Sequence, residues 1–165
     1  MSLQPSHPVV RPALIEDLVA LQELARRTID ASYRSFLGNE GVDWFINSGA
    51  SDDHIESHFG QGHVYCLEAD GGIVGLMILD GPTVDLMMID VRHHRQGLGK
   101  VLLSRAEEVL FTQYRVIRLE TFVGNKAAIA FYEAYGWLAA GQMDSGSEMP
   151  AKIEFVKHRR EEGAA

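Results

Sequence analysis

Residues 93 to 103, HHRQGLGKVLL, place cationic or potentially cationic side chains and two glycines directly before an apolar helical run. Glycine destabilises a helix interior by about 0.5–1 kcal/mol relative to alanine. Two of them at one helix start point to a demand for backbone rather than side chain. A helix N-terminus exposes unpaired N–H groups and carries a partial positive charge, so it receives anions. Gly97 and Gly99 would let phosphate oxygens approach that backbone, and His94, Arg95 and Lys100 add positive potential. The ligand implied is a phosphate or pyrophosphate; the competing reading is a strand–helix turn that needs tight packing. Two familiar phosphate motifs fail. A P-loop requires glycine where His94 stands and Ser or Thr where Val101 stands. A dinucleotide fingerprint requires a third glycine where Leu102 stands, and a strand–helix–strand unit at the start.

Other residues invite chemistry of their own. Asp85 interrupts the apolar strand TVDLMMI and has the side-chain parity of Met87 and Ile89. A carboxylate inside such a strand needs a reason; the competing reading is a solvent-facing residue near a hairpin. Glu120, in RLETF, is a second carboxylate in a strand. Tyr132 shares a helical stripe with Ala128, Phe131 and Tyr135, a pattern that by itself reads as core. His54 and His58 stand four apart, as metal ligands on a helix do. The adjacent glutamate of a zinc-protease motif is missing and no third ligand is evident, so they are assigned to a polar exposed face and no metal is expected. Cys66 is assigned to a small buried strand position.

The elements that must position these groups follow from pattern. PVVRPA reads as a first strand, and IEDLVALQELARRTIDASY sets Leu18, Leu21, Ala25 and Ile29 on one helical face. The polar segment 38–62 holds two short helix candidates. HVYCLEA, GIVGLMIL and TVDLMMID follow as strands, separated by Asp70-Gly71-Gly72 and Asp80-Gly81-Pro82 hairpin chemistry. After Gly97 a long helix carries Leu98, Leu102, Ala106, Val109 and Leu110 on one stripe. RVIRLETFV is another strand; Asn125 caps the helix KAAIAFYEAYG, which ends at Gly136. WLAAG and KIEFVKH close the series. Hairpins and strand–helix–strand units together predict an α/β (α+β) fold with a mixed sheet.

The 165 residues fit one domain, long enough to bury a core without staples. We expect a core over about residues 8 to 158 and a solvated tail at 159–165. A net charge of -8 argues against nucleic-acid or anionic-membrane binding and suits a cationic substrate. No apolar run reaches the length of a membrane span, and MSLQPSHPVV does not read as a signal peptide. One cysteine excludes an internal disulfide and fits a reducing cytoplasm.

The sequence resembles the GNAT superfamily of acetyl-CoA-dependent N-acetyltransferases. The family motif, Gln/Arg-x-x-Gly-x-Gly/Ala between the fourth strand and a long helix, is similar to His94-Arg95-Gln96-Gly97-Leu98-Gly99, with His94 in place of the usual Gln or Arg. A second signature resembles NKAAIAFYEAYGW, which supplies Asn125, Ala128, Phe131, Tyr132, Gly136 and Trp137. The resemblance implies a mostly antiparallel central sheet of six to seven strands flanked by about four helices. It implies acetyl-CoA as cofactor, a primary amine on a small molecule or peptide as acceptor, and direct attack in a ternary complex. Homodimers are common in the family.

Site roles follow from the same resemblance. The backbone of Arg95, Gln96, Gly97, Leu98, Gly99 and Lys100 would cradle the pyrophosphate, helped by His94 and, at a distance, Asn125. The fourth strand, with Met88, Ile89 and Val91, would pair with the pantetheine arm, and an N–H near Met88 or Ile89 would receive the developing oxyanion. The fourth and fifth strands of the family splay apart to leave such groups free. Tyr132 would protonate the leaving thiolate. Asp85 is the first candidate for the base, Glu120 its competitor. The acceptor pocket is expected from Tyr33, Phe36, Trp44 and Phe45, whose competing reading is helix packing. Two rivals share the fold: a non-catalytic acyl-CoA sensor and a transferase of another acyl group.

Overall fold

Two apolar cores, one on each face of a seven-stranded sheet, are what the hydrophobic stripes of the sequence build. The computed structural model describes residues 7–143 and 150–161. Along the chain come β1 (Val9–Pro12), α1 (Leu18–Ser32), α2 (Arg34–Asn47), α3 (Ala50–Gly60), β2 (Val64–Ala69), β3 (Gly72–Asp80) and β4 (Thr83–Ile89). Then follow α4 (Leu98–Leu110), β5 (Val116–Phe122), α5 (Lys126–Ala134), β6 (Leu138–Met143) and β7 (Lys152–His158). The sheet order is β1-β2-β3-β4-β5-β7-β6, and every neighbouring pair is antiparallel except β4–β5.

Five helices flank the sheet where about four were expected. The polar stretch after α1 holds two of them. Gly38, at φ +76°, kinks α2 and interrupts its apolar periodicity, which is why the sequence shows no single stripe there. The hairpins form as their turn residues dictate. Asp70 and Gly71 both take positive φ between β2 and β3, and Gly81 does so between β3 and β4.

The stripe of α1 buries Leu21, Leu24, Ala25 and Ile29 with Cys66, Leu76, Ile78 and Met88 on one face of the sheet. The stripe of α4 buries Leu98, Leu102, Leu103, Ala106 and Leu110 with Met77, Val84, Leu119, Tyr132 and Trp137 on the other. Cys66 is fully buried, and burial pushes its thiol up to about 11, so it stays protonated and inert. Of the expected tail, Arg159 is anchored: its N–H donates to Arg115 O at 2.8 Å and its guanidinium to Phe111 O at 3.0 Å. Residues 162–165 lie outside the described residues.

Two features of β4 shape the space around it. First, β4 pairs with β5 over Thr83↔Arg118 and Val84↔Leu119 alone. From Asp85 onward the β5-facing edge of β4 has no strand partner among the described residues. Second, a register shift against β3, where Ile78 opposes Leu86 but Leu79 opposes Val84, makes Asp85 the extra residue of a bulge.

Candidate active site

At the end of β4 the chain turns through a 3-10 segment, Val91–His93, into the start of α4. Arg95 (φ +65°) and Gly97 (φ +75°) are both left-handed, and no side chain caps the helix. The leading N–H groups of α4 are therefore free of an intrahelical partner and of a side-chain cap. A Cβ built on Gly97 meets nothing within 4 Å, so the space before the helix is open. Arg95 and Lys100 are exposed beside it, with Lys100 Nζ 5.9 Å above the Tyr135 ring. Free donors, an open approach and two cations fit a diphosphate.

The two glycines do different work. Gly97 supplies the backbone angle. Gly99 supplies room for packing: a Cβ there would stand 3.3 Å from Phe131 Cζ on α5. That contact leaves the Gly99 N–H among the leading donors of α4. His94 is engaged within the turn. Its Nε2–H donates to Ile89 O at 2.8 Å, tying the turn to the end of β4.

Asp90, which no local sequence pattern singles out, holds this turn in place. Its side chain is fully buried and accepts from Arg27 of α1 at 2.6 Å, from the Arg92 guanidinium at 2.9 Å and from Arg92 N–H at 3.1 Å. Burial alone would raise the Asp90 carboxyl, but the two guanidiniums outweigh it and hold it far below the usual carboxylate range. Val91 N–H donates to Thr28 Oγ1 at 3.3 Å, so it is engaged by α1 and not turned toward the strand gap.

The direction of the β4 peptides follows from the ladder. Asp90 N–H donates to Val74 O on β3, and Met88 lies opposite Leu76. Antiparallel peptides alternate, so Met88 also faces β3 while Met87 and Ile89 face the open β5 side. Of the two N–H groups expected to receive the oxyanion, that of Ile89 faces the open edge and that of Met88 faces β3; the Met87 N–H also faces the open edge.

A cavity of about 370 Å³ opens beside this strand gap, between α1, α3 and the β4, β5 and β7 strands. Ala25, Ile29, Phe45 and Ile55 form its apolar wall, while Asp85, His54, Glu120 and Lys152 form its polar one. Tyr33 lines it too, with its phenol pushed up by burial. Phe36 backs this wall, 5.1 Å from Tyr33 and 5.7 Å from Phe122 between ring centroids. Trp44 does not belong to it: the indole is 61% exposed, and its helical neighbour Phe45 turns inward instead. Asn125 lines the cavity while its side chain caps α5, accepting from Ala128 N–H at 3.2 Å.

The bulge overturns the parity assigned to Asp85. Met87 and Ile89 pack on the α4 face, but Asp85 lines the cavity with Leu86 and Met88, below α1 and α3. There its Oδ2 lies 2.6 Å from His54 Nε2 and 3.9 Å from His58 Nε2. Burial raises the Asp85 carboxyl, yet His54, with His58 and Lys152, outweighs it and holds it below its ordinary value; in return Asp85 raises His54. His58 Nδ1 is 3.0 Å from His63 Nδ1. The histidines assigned to a plain solvated face therefore form a cluster, and the third polar partner that seemed missing is Asp85. Its signal, a helical histidine pair and a strand aspartate 31 positions apart from His54, exists only once the fold joins them.

Glu120 lines the cavity from β5, 4.0 Å from Lys152 Nζ. Tyr132 is 8% exposed, and its phenol is pushed far up by burial first and by Tyr33 second, so it remains protonated. Its ring packs on Phe131, Trp137 and Phe155.

Known proteins resemble this chain in sequence and in fold. Residues 26–137 match the profile of the Acetyltransferase (GNAT) family. A [ribosomal protein bS18]-alanine N-acetyltransferase of Salmonella typhimurium is 27% identical over 124 residues, 73% of this chain and 74% of that protein. A GCN5-related N-acetyltransferase structure from Rhodopseudomonas palustris superposes with TM-score 0.80 at 16% identity, covering 96% of this chain and all of that one (100%). The PaiA N-acetyltransferase of Thermoplasma acidophilum, solved with coenzyme A, gives TM-score 0.72 at 18% identity over 90% of this chain and 98% of that one.

Proposed function

Because the chain belongs to the Acetyltransferase (GNAT) family, we propose that it moves an acetyl group from acetyl-CoA to a primary amine by direct attack in a ternary complex. One observation carries the reading. The unpaired edge of β4, from Asp85 onward, runs between an anion-receiving helix start and a cavity sized for a small side chain or peptide end.

Acetyl-CoA supplies the acyl group as a thioester. The leading N–H groups of α4 and Arg95 hold its diphosphate. Met87 and Ile89 offer main-chain groups along the strand gap, and an N–H there stabilises the developing oxyanion, an interaction worth about 2.7–4 kcal/mol in tested enzymes. The protonated Tyr132 phenol gives its proton to the leaving sulfur. Asp85 and Glu120 make the cavity attractive to an ammonium group, and the overall charge of -8 assists its approach. The relative that acts on a ribosomal-protein alanine makes peptide α-amines the first acceptors to try.

The test is thiol release from acetyl-CoA with a panel of peptide α-amines, lysine side chains, polyamines and amino acids. Release with at least one class supports the transferase. Coenzyme A binding without release from any class favours an acyl-CoA sensor, and faster release from succinyl- or propionyl-CoA favours another acyl group.

A further inference from the structure

An acceptor amine arrives as an ammonium with a pKa near 10, and it cannot attack a carbonyl until a proton has left. The cavity presents one side chain built to take it. His54 reaches from α3 to the β4 bulge, where Nε2–H donates to Asp85 Oδ2 at 2.6 Å. That bond fixes the ring and its tautomer, leaving the lone pair on Nδ1, which has no hydrogen-bond partner among the described residues. A base oriented by a carboxylate, beside the space where the nucleophile must sit, is the arrangement that proton abstraction requires.

We propose that His54 is the proton acceptor for the amine and that Asp85 is its positioning residue. This rests on the amine-acetylating reading above. Chemistry favours His54 over the two carboxylates. An ordinary imidazole lies about two pKa units closer to an ammonium than an ordinary carboxylate does. Asp85 narrows the gap by raising His54, whereas its own carboxylate is already committed to that bond. The groups that face His54 are Asp85 from β4, His58 one turn along α3, Lys152 from β7, and Glu120 from β5. Asp85 outweighs burial and Lys152, both of which lower it.

The proton balance closes. The ammonium nitrogen keeps its electron pair as one proton passes to His54 and then to solvent. That pair forms the C–N bond as the C–S bond breaks. The sulfur takes a proton from Tyr132, and the second proton shed by nitrogen restores the phenol, so one proton is released per acetyl group transferred. A shared metal ion is the rival use of His54, His58 and Asp85, whose ligand-type atoms lie within 4.8 Å of one another. Two ligands of one tetrahedral zinc stand about 3.3 Å apart at ordinary bond lengths. The observed 2.6 Å between His54 and Asp85 is a hydrogen bond.

The decisive experiment is the pH dependence of kcat/KM with the best amine of the panel, with and without a chelator, for the native protein, His54→Gln, Asp85→Asn and Glu120→Gln. The native rate should climb with pH through a limb above the ordinary histidine pKa. His54→Gln should lose that limb and about 10²-fold or more in rate, with partial rescue by added imidazole. Asp85→Asn should move the limb to lower pH, and Glu120→Gln should keep it while raising KM. NMR titration of the His54 ring, which needs no turnover, should read the same downward shift in Asp85→Asn. A limb that survives His54→Gln, vanishes in Glu120→Gln, or disappears with chelator overturns the proposal. So does an NMR pKa indifferent to Asp85. Absence of turnover with every amine would instead count against the transferase reading, and the NMR result would stand apart from it.

Discussion

Tyr132 is held by packing, and the proposed reaction draws its proton from that position. Its ring sits 5.4 Å from Phe131 and 6.1 Å from both Trp137 and Phe155, while burial keeps its hydroxyl proton in place. Tyr132→Phe keeps the ring and removes the proton, so turnover should fall by about 10²-fold with coenzyme A affinity unchanged; stopped-flow turnover and calorimetry separate the two. Single residues were legible where local pattern fixes them. Asn125 reads as a cap and Cys66 as a buried strand residue, and both are so. Asp85 was misplaced because one bulged residue flips every side chain that precedes it along the strand relative to those that follow. His54 was assigned to a solvated face and Asp90 was missed because their partners, Asp85 and Arg27, lie 31 and 63 positions away.

Among elements, the turn from β4 into α4 is the one whose geometry most constrains function. Gly97 holds φ +75°, so alanine there should cost about 1–2 kcal/mol in local strain yet still leave the approach open. Gly97→Glu adds a negative charge at the same place and should abolish coenzyme A binding by calorimetry while circular dichroism stays native. Strands and helices around this turn were legible because their apolar periods are clean: α1 and α4 each bury one stripe. Helix α2 was legible only beyond Gly38, as the first of the two candidates in 38–62; its opening turn was not, because Gly38 breaks the period. The inward turn of Phe45 rather than Trp44 depends on which way the kinked helix rolls, and no local pattern records that.

Across the molecule, Asp90 joins α1, the end of β4 and the turn that leads into α4 through Arg27 and Arg92. A carboxyl held low when folded stabilises the protein above its unfolded pKa, about 3.9, and that stability drains as pH falls below it toward the folded value. Asp90→Asn should therefore lower stability at neutral pH by about 3 kcal/mol and flatten the acid end of a urea-denaturation series. It should also weaken coenzyme A, because the turn loses its tether. The whole mechanism depends on where the cofactor lies between the two cores. The most direct measurement is a crystal structure of the protein grown with coenzyme A. Its diphosphate should rest on the N–H groups leading α4, and its thiol should lie between β4 and β5 at the mouth of the cavity lined by His54 and Glu120. A diphosphate bound elsewhere, or a thiol pointing away from that cavity, would contradict the account.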